Sequence, residues 1–277
     1  MRVDNSSTYV LGATEHERRR LALQGSILNS LTDRFLRQAG VCAGMRVLDV
    51  GCGIGDVSLI AARIVGPRGS VTGLDTDGAA LDTARARAGE EKLFHVTFEN
   101  VAFEAYATGG LFDAMVGRHI LIHSADPLGW IRKSKSLLRL GGIAAFQEYD
   151  LSYFPPIEPE LPLFYGLSEY LLQLFRRAVA YPDTGARLYH WMQLTEFGNT
   201  RSNAECLMGG GAGSPYYEWF AETIRSVAPR LESLGIAGAA ELDLDTLAVR
   251  LREEAVSLAG CLTTPLIVSC SGERCES

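Results

Sequence analysis

The sequence predicts an α/β protein with a mostly parallel sheet flanked by helices, and three observations carry that prediction. Short apolar runs rich in β-branched residues alternate with helical patterns from Met45 to Gln147. A glycine-rich turn, Gly51-Cys52-Gly53-Ile54-Gly55, closes the first of those runs and opens a helix. After Asp150 the alternation gives way to proline-rich and aromatic-rich segments with helical periodicity.

The first element is a helix in "ATEHERRRLALQGSILNSLTDRFLRQAG", where Thr14 and Glu17 have capping-box spacing. Leu21, Gln24, Ile27, Leu28, Leu31, Phe35 and Leu36 recur at helical spacing, with Gln24 the polar member of the stripe, and Gly40 ends the helix. Met45 to Val50 reads as a strand, and Asp56 to Val65 as a helix closed by Gly66-Pro67. Ser70 to Leu74 is the next strand. Asp77 is placed to cap a helix over Ala79 to Ala88, because its carboxylate can accept from the free amides of a first turn. Phe94 to Phe98 and Phe112 to Val116 read as strands, Pro127 to Arg139 as an amphipathic helix ended by Gly141-Gly142, and Ile143 to Gln147 as a further strand.

"LSYFPPIEPELPLF" carries four prolines and cannot continue a central strand. Leu167, Leu171, Leu174, Phe175 and Ala178 then give a helical stripe, "MGGGAGSPYYEW" a break, and helices are expected over Tyr216 to Leu234 and Thr246 to Leu258. "PLIVSC" reads as a last strand. The expected organisation is a helical cap over residues 1–40, the alternating core over 41–150, a helical lid over 151–240 with a sheet strand near 200–208, and a C-terminal helix and last strand over 241–277.

Composition bounds the function. Hydrophobic residues are 47% of 277, which suits a packed core. With 26 basic against 33 acidic residues the formal charge is −7, which disfavours a nucleic-acid partner. No run approaches the ~18 apolar residues of a membrane span, and "MRVDNSSTYVLG" lacks the apolar stretch of a secretory signal. The expectation is a cytoplasmic protein with no membrane partner. Cys42, Cys52, Cys206, Cys261, Cys270 and Cys275 form no CxxC pair and read as reduced thiols, the last two in a frayed tail. No His, Asp or Glu cluster has metal-ligand spacing, so no metal is expected.

The glycine turn points to a ligand. In open parallel sheets ligands bind at the carboxyl ends of strands, where strand order reverses. Glycines there let backbone amides approach, and a helix N-terminus favours a polar or negative group. A dinucleotide fingerprint, G-x-G-x-x-G, needs glycine where this chain has Asp56. Here the pattern is D-x-G-x-G-x-G, opened by Asp49. A second acid, Asp75, ends the next strand in "VTGLDTD" and is placed to accept hydrogen bonds from ribose hydroxyls.

Together these features resemble the class I S-adenosylmethionine-dependent methyltransferases, over roughly Tyr9 to Gln147. "RVLDVGCGIGD" resembles the family's first motif and "VTGLDTD" its acidic second motif. The stretch from "FDAMVGRHI" to "GGIAAFQEYD" resembles its fourth and fifth strands, with Leu140-Gly141-Gly142 lacking the family's proline. The opening "YVLGATEHERRRLALQ" resembles a bacterial small-molecule branch with an N-terminal helix. The resemblance implies a Rossmann-like, seven-stranded sheet with helical lid insertions, S-adenosyl-L-methionine as cofactor, and a methyltransferase acting on a small molecule of specialised metabolism.

It also implies roles for residues. Gly51 and Gly53 would lie against the methionine part of the cofactor, Asp49 would orient its amino group or brace the loop, and Asp75 and Thr76 would hold and flank the ribose. Tyr9 and Gln24 would close over the cofactor, or else serve packing. The acid that usually meets the adenine amino group falls at Ala102, leaving the backbone of Val101 and Ala102 for that contact. Arg118 would meet the methionine carboxylate, or form a structural ion pair.

The acceptor side rests on residue chemistry. Nucleic-acid adenine methyltransferases usually place an Asn/Asp-Pro-Pro-aromatic motif after the fourth strand; this chain has Gly117-Arg118-His119-Ile120. His119 and His123 are candidate bases, since histidine titrates near ~6.5, and Glu148 after the fifth strand is the alternative. Tyr165, Tyr181, Tyr189, His190 and Trp191 are candidates for an apolar acceptor pocket or for helix packing. Tyr216, Tyr217 and Trp219 allow a subunit contact in a homo-oligomer. The leading reading is O- or C-methylation of a largely apolar, isoprenoid-like or other specialised acceptor. The alternative is a cofactor-binding protein that promotes cyclisation or rearrangement.

Overall fold

In the computed structural model the described residues run from 15 to 276; Tyr9 and Thr14 lie outside them. Helix α1 (Glu15–Ala39) leads into β1 (Arg46–Val50), α2 (Asp56–Val65), β2 (Ser70–Asp75), α3 (Gly78–Glu90), β3 (Val96–Asn100), β4 (Phe112–Arg118), α4 (Pro127–Leu137) and β5 (Leu138–Asp150). There follow α5 (Pro162–Ala178), α6 (Thr184–Leu194), β6 (Phe197–Glu205), β7 (Met208–Gly210), α7 (Tyr216–Ser233), α8 (Ala239–Leu242), α9 (Leu247–Ser257), β8 (Cys261–Thr263) and β9 (Leu266–Arg274).

The chain divides by contacts into two units. A sheet unit comprises residues 28–149, 184–204 and 268–276, and a helical unit comprises 15–27, 150–183 and 205–267. In the sheet unit seven strands lie in the order β3-β2-β1-β4-β5-β9-β6, the seven-stranded sheet that the sequence led us to expect. β3, β2, β1, β4 and β5 pair in parallel, with Val50 beside Leu74, Asp75 beside Asn100 and Arg118 beside Gln147. The carboxyl ends of five strands therefore share one edge. The order reverses between β1 and β4, since β2 and β3 lie on one side of β1 and β4 and β5 on the other.

The local reasons match the sequence patterns. β1 is buried from Val47 to Val50, and nine of the ten residues of α2 are buried against the sheet. Val47, Val57, Ile60, Val65, Val71, Val116 and Ile143 meet in one cluster; Cys52, Leu59, Leu81, Ala84 and Phe98 form another under α3. Asp77 caps α3 as expected: its Oδ1 accepts from the N–H groups of Ala79 (2.9 Å) and Ala80 (3.2 Å).

Three expectations change. β3 begins at Val96, because a turn from Leu93 to Val96 leaves Phe94 84% exposed. α4 stops at Leu137, and β5 starts at once and runs through Gly141 and Gly142. Leu138 is buried beside Phe112, and Arg139 pairs with Asp113, so the chain is already tied to β4 before the glycines, with a register shift between Phe112 and Ala114. The C-terminal stretch is not frayed at Cys270, which is fully buried in β9.

The helical unit has its own aromatic core. Phe164 packs against Phe220 with ring centroids 4.8 Å apart and the planes tilted by 57°, and Phe154 meets both edge-on at 5.8 and 6.3 Å. Pro162 opens α5, and Glu254 of α9 accepts from the N–H groups of Leu163 (2.8 Å) and Phe164 (3.3 Å), so a carboxylate satisfies amides that the helix cannot. β7 pairs antiparallel with β8, Gly210 opposite Cys261, where the sequence reads only a glycine break. Gly209 leaves room for the ring of Tyr216, which a Cβ would strike. Tyr216, Tyr217 and Trp219 are all at least 91% buried, so these rings serve the unit's own core rather than an exposed contact.

Candidate cofactor and acceptor site

The loop from Gly51 to Gly55 sits at the switch point. Gly51 and Gly55 take left-handed φ values of 67° and 87°, which a side chain would strain. A Cβ on Gly51 would also collide with Cδ1 of Ile120, so that glycine is required by the protein's own packing. The loop is tied down by Cys52 N–H to Leu74 O (2.9 Å) and Gly55 N–H to Cys52 O (2.8 Å). Gly55 is the N-cap of α2, and no side chain caps that helix. Its first amides thus keep the capacity to meet a polar ligand group.

Asp75 stands at the end of β2. Its Oδ2 accepts from Gly53 N–H (2.7 Å) and its Oδ1 from Asp77 N–H (2.9 Å), so one carboxylate joins the glycine loop to the turn into α3. Each oxygen keeps a lone pair for a further donor. Asp49 lies within β1, 1% exposed, with Ser58 Oγ donating to its Oδ2 at 2.6 Å and no hydrogen-bond partner at Oδ1. Burial pushes its carboxyl up to about 7, against the pull of Ser58 and of the Arg118 charge. Thr76 is exposed, and its carbonyl accepts from Asn100 Nδ2 (3.3 Å). Val101 N–H donates to Asp75 O (3.0 Å), which brings Val101 and Ala102 beside the same acid.

The ends of β4 and β5 carry the remaining candidates of the sheet unit. Arg118 is held by neighbours: Nη1 donates to Asn29 Oδ1 (3.0 Å) and Thr32 Oγ1 (2.9 Å), and Nη2 lies 3.6 Å from Asp56 Oδ2. His119 has φ 54°, a conformation unusual for a side-chain-bearing residue and often stored at functional sites. Its N–H donates to Gln147 O (2.8 Å), and its ring stacks on Tyr149 at 3.8 Å. Tyr149 was not singled out by the sequence; only its place at the carboxyl end of β5 could have signalled it. Glu148 is fully buried. Its Oε1 accepts from Ile120 N–H (2.9 Å) and Leu121 N–H (2.8 Å), while Oε2 has no hydrogen-bond partner. Burial outweighs these bonds and raises its carboxyl to about 7. His123 closes the same short turn, its N–H on Ile120 O (3.1 Å).

The aromatic candidates fall in both units. Tyr165, in the helical unit, donates to Pro155 O (3.1 Å) and accepts from Ile157 N–H (2.7 Å), so its hydroxyl pins the proline segment. Tyr181 is half-buried in that unit. In the sheet unit Trp191 is 5% exposed, Tyr189 is half-exposed and His190 is exposed. Gln24, in the helical unit, is buried and accepts from Arg20 Nη1 (2.6 Å); Arg20 is also paired with Glu17. Among the described residues no group of three or more His, Cys, Asp or Glu could hold a metal ion, and no helix is long and apolar enough to cross a membrane.

A sheet that reverses order at a glycine loop, with acids in β1 and at the end of β2, fits the class I methyltransferase fold, whose cofactor is S-adenosylmethionine. The methyltransferase-domain family matches residues 42–196, more than half of the 277, and the chain belongs to that family. It is 31% identical over 163 residues to an aklanonic acid methyltransferase of Streptomyces sp., covering 55% of this chain and 70% of that one. It is 34% identical over 112 residues to a ubiquinone biosynthesis O-methyltransferase of Ruegeria sp., covering 40% of this chain. The chain spans 44% of the length of that relative, about half. Among solved structures, the YcgJ protein of Bacillus subtilis superposes with a TM-score of 0.57 at 15% identity, over 89% of this chain and 98% of that one. The uncapped start of α2, the left-handed glycines and the lone pairs of Asp75 fit the class's cofactor: amides for a carboxylate and an acceptor for vicinal hydroxyls.

Proposed function

We propose that this chain transfers the methyl group of S-adenosylmethionine to a small, largely apolar acceptor, by O- or C-methylation. One observation carries the reading: at a single sheet edge Asp75 accepts from the glycine loop, beside a helix start that no side chain caps. The similarity to an O-methyltransferase of ubiquinone biosynthesis and to an aklanonic acid methyltransferase supports a small organic acceptor. The reading places this work in the cytoplasm.

When bound, the cofactor supplies a methyl group already activated on a sulfonium. In this reading Asp75 takes the ribose hydroxyls, Thr76 flanks them, and Val101 and Ala102 offer backbone to the adenine. Gly51 and Gly53 admit the methionine part, with Asp49 bracing the loop through Ser58. His119 is the first candidate to take a proton from an acceptor hydroxyl, since its ring is fixed by the Tyr149 stack and its backbone by Gln147. Glu148 is the second: its Oε2 is buried, and a carboxyl raised to about 7 can accept a proton near neutral pH. His123 is the third. In the sheet unit Tyr189, His190 and Trp191 are the rings proposed to meet the acceptor, whose exclusion from water favours transfer.

The test is incubation of the purified chain with methyl-labelled S-adenosylmethionine and a panel of phenols, quinols and polyketide-type acids. Label in an extracted product, lost in His119→Ala with cofactor affinity kept, is the expected result. Tight cofactor binding with no label transferred to any acceptor would favour the cyclisation reading. Binding of NAD but not of S-adenosylmethionine would overturn both.

A further inference from the structure

Asp56 is the residue that separates this loop from a dinucleotide fingerprint, and it is not a solvated surface acid. It is the first residue of α2, directly after Gly55, and is 6% exposed. Arg87 of α3 reaches it with Nη2 at 2.7 Å from Oδ1, while Nη1 of the same guanidinium donates to Ile54 O at 2.6 Å, inside the glycine loop. On the other side lies Arg118, Nη2 at 3.6 Å from Oδ2. Asn29 Nδ2 approaches Oδ1 at 3.4 Å.

The contacts continue from there. Arg118 Nη1 donates to Thr32 Oγ1 (2.9 Å), Thr32 donates to Gln147 Oε1 (2.7 Å), and Gln147 Nε2 donates to Ser269 Oγ (2.9 Å). Thr32, Gln147 and Ser269 are each at least 98% buried. One polar chain thus joins α3, the start of α2, β4, α1, β5 and β9 within the sheet unit. Buried carboxylates and guanidinium groups are costly to desolvate unless paired, so each member holds the next in one geometry.

We propose that Asp56 and Arg118 are a coupled pair of positioning residues that set the Gly51–Gly55 loop for the cofactor. Asp56 fixes the first turn of α2 and, through Arg87, the carbonyl of Ile54. Arg118 ties that turn to α1 and to the strand ends. The inference rests on the reading of this loop as the cofactor site, and gives an ion-pair role to the arginine that the resemblance aims at the methionine carboxylate.

The experiment is a double-mutant cycle on the full chain, with Asp56→Asn, Arg118→Met and the double variant. S-adenosylhomocysteine binding is read by calorimetry, and amide hydrogen exchange of residues 51–59 is read without ligand. Each single variant is expected to weaken binding about tenfold and to speed exchange of the loop. The double variant should lose no more than either single one, because the two residues act as one unit. A purely structural role would lower thermal stability and leave the binding constant of the folded protein and the coupling at zero change. Wild-type affinity in the single variants, or losses that add in full, would overturn the proposal. If the unmutated chain fails to bind S-adenosylhomocysteine, the cofactor reading fails. Loop exchange then decides the positioning role by itself: faster exchange in Asp56→Asn supports it and unchanged exchange sinks it. Should Asp56→Asn not fold, Arg118→Met and Thr32→Val carry both readouts.

Discussion

Replacing Glu148 by glutamine tests whether a fully buried carboxyl governs the pH response of this fold. Burial raises the folded-state carboxyl from an ordinary 4.5 to about 7, opposed by bonds from the N–H groups of Leu121, Ile120 and Ile122. Between those two values the folded chain holds a proton that the unfolded chain has released. The unfolded state therefore binds fewer protons, and stability falls as pH rises through that window. The contribution is complete below about 4.5 and gone above about 7. At ~1.4 kcal/mol per pH unit the gap corresponds to about 3 kcal/mol. Asp49, also raised to about 7, acts with the same sign, so the wild-type slope contains both and only comparison with the variant isolates Glu148. Glutamine keeps an acceptor for Ile120 and Leu121 and does not titrate. Urea denaturation at pH 5 and pH 8 should show the variant gaining on wild type by about 2–3 kcal/mol between the two conditions. A stability difference that stays constant from pH 5 to pH 8 would refute the reasoning and mean that Glu148 is ionised, and stabilised, throughout.

Asp75→Ala removes the acceptor shared by Gly53 and Asp77 and should weaken S-adenosylhomocysteine at least about tenfold by calorimetry, with an unchanged circular dichroism spectrum. Gly51→Ala should cost about 1–3 kcal/mol from its left-handed φ, with the clash on Ile120 added. Ile120→Ala in the same chain should recover the clash part alone, so a double variant no more stable than Gly51→Ala would show that Ile120 yields freely. Glu254→Gln leaves the first amides of α5 facing a neutral acceptor and should lower stability by about 1 kcal/mol in denaturant titration.

Much of the core was legible because its signals are local. Asp56 to Val65 is apolar enough to be buried on nearly every side, and helix α2 has those bounds. Asp77 caps α3 through amides two and three residues on, an interaction contained in four residues of sequence. The start of β5 was not legible, because it depends on Arg139 meeting Asp113 and on Leu138 finding Phe112, partners 26 residues back. The same holds for β7: "MGG" has no strand propensity, and its pairing with Cys261–Thr263 comes from a segment about fifty residues away. Helix α6 (Thr184–Leu194) also escaped the sequence reading, although Asp183 directly before it is a residue type that favours a helix start.

For the site, the sequence marks residue types, and the structure decides what each side chain is already committed to. Aromatic density after Asp150 reads as a pocket, yet Phe164 and Phe220 are fully buried against each other and the hydroxyl of Tyr165 is used on Pro155 and Ile157. Large rings are the cheapest way for a helical unit of this size to bury apolar area, so density by itself selects core before pocket. The acids show the converse. Asp49, Asp56 and Asp75 look alike in "VLDVGCGIGD" and "VTGLDTD", and they are chemically distinct in the fold. Asp75 keeps lone pairs at the sheet edge beside two backbone amides. Asp49 is buried on one hydroxyl, with its proton held to about 7. Asp56 is compensated by two guanidinium groups. An acid in the place of a third glycine excludes one ligand class when read as sequence. In the fold it does more: a buried charge at that position needs Arg87 and Arg118, and those two arginines bind the ligand loop to the elements around it.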